Sequence, residues 1–200
     1  MTQRTFLRIF VCSVLMTGIL SMGVLYHSAI ATQSVDQLKE SIDRIQKILQ
    51  NESLAQEDIK AQVSEQIERL FDFHEMAKLT LGKYWDLNAS KRDEFVLAFS
   101  GFIKRLSFRH LDKLKSAQVH VLSESWGINR SQIEIELQGS ETYKLDIKMH
   151  RSGERWMIYD VDVGGISLAQ NFRAQFARKL KQKSMDDLIQ EIREQTVALF

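Results

Sequence analysis

The sequence predicts an α+β protein, with helices packed on a mainly antiparallel sheet of four strands. Apolar residues recur at three and four positions from residue 35 to about 114. They then alternate in segments between 119 and 150, continue as an extended run at 156–163, and return to helical spacing after Gly164-Gly165. A helix buries one stripe and a strand one face, so the period of the apolar residues reports the element. Helices, then a run of strands, then helices is the α+β order. The chain has no proline and no evident linker or repeat, so residues 32–200 read as one domain.

The elements follow in order. Val35, Leu38, Ile42, Ile45 and Leu49 mark a first amphipathic helix, and Ile59, Val63, Ile67 and Leu70 a second. A short third helix runs from Phe73 to Leu81, with Gly82 as its stop. Ser90, followed by Asp93 and Glu94, is placed to cap a long fourth helix ending near Leu114, with Phe95, Phe99, Phe102, Ile103 and Leu106 on its apolar face. The strands contain Val119 and Val121, then Ile133, Ile135 and Leu137, then Tyr143, Leu145, Ile147 and Met149, and finally Trp156 to Val163. Short turns at 126–130, 139–141 and 151–154 favour an antiparallel meander. Ser167 and Gln170 fit a capping box for a helix with Leu168, Phe172, Phe176 and Leu180 on one face. A last helix covers about 185–194.

The first 31 residues stand apart. Arg4 and Arg8 precede an apolar run from Ile9 to Leu25, and Ala29-Ile30-Ala31 supplies small residues before a cleavage point. This is the pattern of a secretory signal peptide over residues 1–31. The run is short for a membrane span and is broken by small and polar residues, which favours cleavage over retention as an anchor. Two of the 27 basic residues lie in this segment, leaving 25 against 26 acidic ones. A nearly neutral chain has no overall field for nucleic acid. The single cysteine, Cys12, falls in the same segment, so residues 32–200 hold no disulfide, thiolate site or cysteine nucleophile.

Catalytic signatures are sparse. His74, His110, His120 and His150 are scattered, and no G-x-S-x-G, P-loop or G-x-G-x-x-G occurs. His120 and His150 fall on the polar phase of strands, which favours a solvated role over metal binding. Asp160 is the one acidic residue with the setting of a general base. The favoured alternative is that it accepts hydrogen bonds from backbone or arginine and fixes the end of the sheet. Phe95, Phe99, Phe102, Phe172 and Phe176 form two helical stripes that both suit packing on the sheet. Solid core and ligand cavity share one residue list, so the pattern leaves both open.

Two stretches carry a resemblance: 71–109, opening FDFHEMA and containing LGKYW at 81–85 and DEFVLAF at 93–99, and ERWMIYDVDVGGISLAQNFRAQF at 154–176. Together, and in this order, they resemble the MlaC family, also called toluene-tolerance auxiliary proteins, over about 35–195. Asn88-Ala89 departs from the Thr-Pro helix start of many members.

The resemblance implies a curved, NTF2-like sheet with helices over it. It implies a periplasmic phospholipid carrier that is not an enzyme, with no catalytic residue, metal or cofactor. The partners it implies are a diacyl phospholipid, an outer-membrane lipoprotein complex and the lipid-binding subunit of an inner-membrane ABC transporter. No nucleic acid is implied, and a monomer is the default. Combined with the phase of the elements, the expected lipid-lining residues are Phe99, Ile103, Ile133, Ile135, Leu137, Leu145, Ile147, Phe172 and Phe176. Lys83, Lys91, Arg92 and Arg173 are candidates for guiding partners by charge. The rival readings are an NTF2-like isomerase or dehydratase using Asp160 or a histidine, and an exported adaptor with a solid core.

Overall fold

The protein was analysed as a computed structural model, which describes residues 33–198. The expected signal segment 1–31 and its cleavage after Ala31 lie outside the described residues. Two amphipathic helices come first, α1 (33–50) and α2 (Gln56–Leu70), then α3 (Phe73–Leu81) and the single turn α4 (Tyr84–Leu87). A 3-10 turn at Ala89–Lys91 leads into α5 (Arg92–Phe108), followed by α6 (Leu111–Lys115). The strands are β1 (Gln118–Trp126), β2 (Arg130–Gln138), β3 (Thr142–Ser152), β4 (Arg155–Val163) and β5 (Ile166–Ser167). Helices α7 (Leu168–Lys179) and α8 (Met185–Ala198) complete the chain.

The sheet is an antiparallel meander in the order β1-β2-β3-β4-β5, with five strands where alternation predicts four. The extra strand is only two residues long, too short for a period to show. Gly164 and Gly165 connect it to β4 with φ of 59° and 81°, the left-handed pair that a two-residue hairpin turn demands. Two bulges interrupt the ladder. Leu122 is extra between the Val121 and Ser123 pairs, and Tyr159 is extra between Ile158 and Asp160. A bulge bends its strand and sharpens its twist.

Two other expectations need correction. The fourth helix stops at Phe108, and residues 111–115 form a separate turn. Ser90 lies inside the 3-10 turn, and no side chain caps α5. The short third helix matches its expected span. Its N-cap, Asp72, accepts the Glu75 N–H at 2.9 Å. Gly82 ends it at φ 54°, with Arg173 so close that a Cβ there would lie 2.5 Å from Nε.

Burial divides the interior into three apolar clusters. The first is a helical bundle of α3, α5, α7 and α8, centred on Met76, Phe95, Phe99, Phe176 and Leu188. The second covers one face of the sheet, where Ile133, Ile135, Ile147, Met149, Trp156 and Ile158 meet Leu38 and Ile42 of α1. The third joins Ile45 of α1 to Val63 and Ile67 of α2. Phe71, in the corner between α2 and α3, packs against all three.

Candidate functional site

The apolar face of the sheet is built by register. Ile133 stands opposite Ile147, Ile135 opposite Leu145, and Leu137 opposite Tyr143. On the far side of β3, Ile147 faces Val161 and Met149 faces Ile158. Because side chains alternate along a strand, this pairing makes one continuous greasy surface. Ile133, Ile135 and Ile147 are buried, and Leu137 and Leu145 at its rim are half-buried.

Helix α1 lies across that surface, held by polar side chains at both ends. Near its start, the Ser34 hydroxyl is 2.5 Å from Glu124 Oε1 and 3.1 Å from Ser131 Oγ. Gln37 grips the peptide of Trp156 twice. Its Nε2 donates to the Trp156 carbonyl at 2.5 Å, and its Oε1 accepts the Trp156 N–H at 2.9 Å. Near its end, Gln46 donates to the carbonyls of Leu114 and Ala117, and Gln50 to that of Lys115. These bonds fit α1 as a strap along the sheet, and Leu38 and Ile42 turn its apolar side inward.

The outer edge of β4 is closed in three places. Gln37 holds Trp156, the Asp72 N–H donates to Ile158 O at 2.8 Å, and β5 pairs with Asp162 and Val163. An open edge would offer unpaired backbone groups to another chain. Asp72 continues outward: its Oδ2 lies 2.9 Å from His150 Nε2, and the His150 ring stands edge-on to Tyr159. His150 is therefore a partly covered, partnered side chain, in contrast to the solvated role its strand phase predicts.

Asp160 settles into the favoured structural role. Its Oδ1 accepts the N–H groups of Val161 and Ala169, each at 3.0 Å. Its Oδ2 accepts the Ser167 hydroxyl at 2.7 Å and Lys148 Nζ at 3.0 Å. Burial alone would raise the carboxyl, but the bonds from Ser167, Ala169 and Lys148 outweigh it and hold the group below the usual carboxylate value. Burial also opposes the charge on Lys148, yet Asp162 and Asp160 together raise it above the ordinary lysine value. All four contacts are made in the ionised state, leaving a saturated carboxylate with little capacity to take a proton from a substrate. The Ser167 hydroxyl also accepts the Gln170 N–H, so one network fixes β4, the hairpin and the start of α7.

The nine expected lining residues fall into two groups. Ile133, Ile135, Leu137, Leu145 and Ile147 belong to the sheet surface beneath α1. Phe99, Ile103, Phe172 and Phe176 belong to the bundle. There the phenylalanines pack on one another, with Phe99 5.8 Å from Phe172 edge-on and Phe172 5.7 Å from Phe176 stacked. Phe71 is the bridge between the groups. Sequence reasoning passed over Phe71, Trp156, Met149 and Ile158 as lining candidates. Alternation could have supplied the last three, whereas the role of Phe71 is set by packing alone.

Of the four candidate guiding cations, Lys91 pairs with Asp186 and Glu94, and Arg92 pairs with Asp86 while stacking on Trp85. Lys83 lies over the Tyr84 ring, and Arg173 packs against Gly82. Among the described residues no group of three or more His, Cys, Asp and Glu side chains could hold a metal ion. No described helix is long and apolar enough to cross a membrane.

Comparison with known proteins places this arrangement. Among solved structures, the chain is similar to a phospholipid-binding protein from Ralstonia solanacearum determined in complex with a phospholipid. The TM-score is 0.74 at 16% identity, covering 84% of this chain and 98% of that one. At that identity the likeness is one of fold. No curated protein matches. The model of the family described as MlaC protein matches residues 39–194, from within α1 to within α8. The chain therefore belongs to the MlaC family.

Proposed function

We propose that this protein is a periplasmic phospholipid carrier. It would hold a diacyl phospholipid with its tails against the apolar face of the sheet, beneath α1 and toward Phe71. Exported behind a cleaved leader at 1–31, it would shuttle lipid between an outer-membrane lipoprotein complex and the lipid-binding subunit of an inner-membrane ABC transporter. The observation that carries the reading is the uninterrupted apolar surface spanning β2, β3 and β4, covered by α1, which is held through neutral amide bonds, with Leu70 of α2 and Leu114 of α6 also packed on it. Membership of the MlaC family and the phospholipid held by the structural neighbour support it.

A carrier needs no chemistry. At about 0.8 kcal/mol per CH₂, two tails with about 30 methylenes cost on the order of 20 kcal/mol to expose to water. A dry surface offsets that cost, and the saturated state of Asp160 suits a protein without a general base. The NTF2-like description of the sheet belongs to the same reading, as does a monomeric state.

Lipid extraction and native mass spectrometry of detergent-free protein test the proposal. Stoichiometric phospholipid is the expected result. A lipid-free protein that takes up none from vesicles would favour the solid-core adaptor. The N-terminal residue of exported protein, expected to be Thr32, tests the leader.

A further inference from the structure

Trp156 is the largest fully buried side chain among the described residues. Its indole Nε1 is buried, and among the described residues no acceptor lies within hydrogen-bond reach. Buried indoles ordinarily find a partner, because an unmet donor inside protein loses its water without replacement. Packing alone would be served by phenylalanine. The ring cannot easily swing outward, since Gln37 clamps both the N–H and the carbonyl of its peptide.

Position gives the unmet donor a meaning. Trp156 stands opposite Arg151, near the β3–β4 turn, and Arg151 N–H in turn reaches Asn129 O in the β1–β2 turn. Ser34, Ser131 and Glu124 crowd the same end of the sheet face. The opposite end carries Ile135, Leu137, Leu145 and Val161. Inward of the rim, where Leu137 faces Tyr143, the surface thus grades from apolar to polar along the strands. A diacyl phospholipid has the same gradient: hydrocarbon, then two ester carbonyls, then phosphate.

We infer that the Trp156 indole N–H is the polar anchor of the lipid site, donating to an ester carbonyl oxygen at the head of an acyl chain. The inference rests on the carrier reading and adds to it a lipid orientation and a preference for ester-linked chains. A carbonyl is the fitting acceptor because it is neutral. The buried cluster that contains Trp156 holds Leu38, Ile42, Met149 and Ile158 and no cation, while Arg151, opposite it in register, is exposed and bonded to Gly153 O, so a phosphate at the indole would be a buried charge without a buried partner. With the ester at Trp156, the phosphate projects past the turns toward the exposed Arg151 and Arg155.

The test compares dipalmitoyl phosphatidylglycerol with its dihexadecyl ether analogue, which has the same tails and head group but no carbonyl. Protein labelled with 15N at the tryptophan indoles is loaded with each, and the Trp156 signal is assigned by elimination with Trp85→Phe and Trp126→Phe. The diester should move the Trp156 N–H resonance downfield and slow its exchange with water; the diether should do neither. Competition should show roughly five-fold tighter binding of the diester, the worth of one neutral hydrogen bond, and Trp156→Phe should abolish the preference. Equal effects of the two lipids on the indole, or a preference that survives in Trp156→Phe, would overturn the anchor and leave the carrier standing. Failure of both lipids to bind would overturn both. Should Trp156→Phe not fold, the resonance comparison in the unmutated site decides by itself.

Discussion

Gln37→Ala tests whether α1 is the roof through which lipid leaves. The substitution removes two hydrogen bonds to the Trp156 peptide and leaves a donor and an acceptor unpaired at the covered edge of β4. At about 1 kcal/mol each, the loss is about 2 kcal/mol. If α1 lifts without unfolding the sheet, that energy falls on the local opening equilibrium, which rises roughly thirty-fold. Two assays read it. Native-state hydrogen exchange should accelerate in residues 33–50 while β2 and β3 keep their protection. Transfer of a fluorescent phospholipid from protein to acceptor vesicles should quicken by a comparable factor. Faster exchange in α1 with an unchanged transfer rate would refute the reasoning, because lipid would then leave by a route that does not involve the strap.

Three further outcomes follow from the same geometry. Ile147 lies between Ile133 and Val161 and is 5% exposed, so Ile147→Arg buries an unpaired charge and should abolish lipid retention. Ile147→Val, costing about 1 kcal/mol, should keep the lipid, and mass spectrometry of extracts reads both. Asp160→Asn removes the charge facing Lys148 and turns one of two oxygens, each accepting from two donors, into an NH2 group, and should cost ~3 kcal/mol, or roughly 6–12 °C in Tm by calorimetry. The folded carboxyl lies below its unfolded value, so its stabilisation is present above the unfolded value and lost as pH falls through the folded one. Lys148 is raised, so its share persists below the ordinary lysine value and disappears as pH rises through the raised one. The variant should therefore show a flatter acid limb in its stability profile. Gly82→Ala forces a Cβ into the Arg173 guanidinium at a positive φ and should cost about 2 kcal/mol. Adding Arg173→Ala should return only the steric part, leaving the backbone part in the denaturant midpoint.

Much of the fold was legible because local period and local punctuation agreed. Alternation in Gln132–Gln138 and Tyr143–His150 placed two central strands, and Gly82 placed the end of α3. The failures had local causes too. No glycine or proline marks the break at Arg109-His110, so α5 and α6 read as one helix. The bulge at Tyr159 shifts the phase of β4, so Val161 instead of Asp160 continues the face of Trp156 and Ile158, and Asp160 is buried on the other face. The site divided along the same line. Its sheet half followed from alternation, but which helix covers the sheet is decided by long-range packing. The phenylalanine stripes of α5 and α7 suit the sheet as well as they suit each other, and the structure uses them for the bundle. The sheet face is covered by Leu38 and Ile42 of α1 together with Leu70 of α2, two helices whose apolar faces look alike in the sequence.

The identity of the bonds on α1 bears on how the proposed carrier would release a lipid. In the proposed carrier, hiding two tails requires an enclosure that offsets on the order of 20 kcal/mol of exposure. The closing of the enclosure faces the opposite demand, since a roof held by many kcal/mol would never open on the time scale of transport. The ties from α1 to the sheet and to α6 are made by Gln37, Gln46, Gln50 and Ser34, mostly neutral bonds worth about 1 kcal/mol each. The Arg44–Glu40 ion pair stays within the helix and exposed, so it adds nothing to closure. Such a roof is stable as a set and weak at each point. A membrane partner that competes for the backbone carbonyls of Leu114, Lys115 and Ala117 would free one end of α1 without disturbing the sheet. Release would then be a substitution of hydrogen bonds, needing no energy source within the carrier itself.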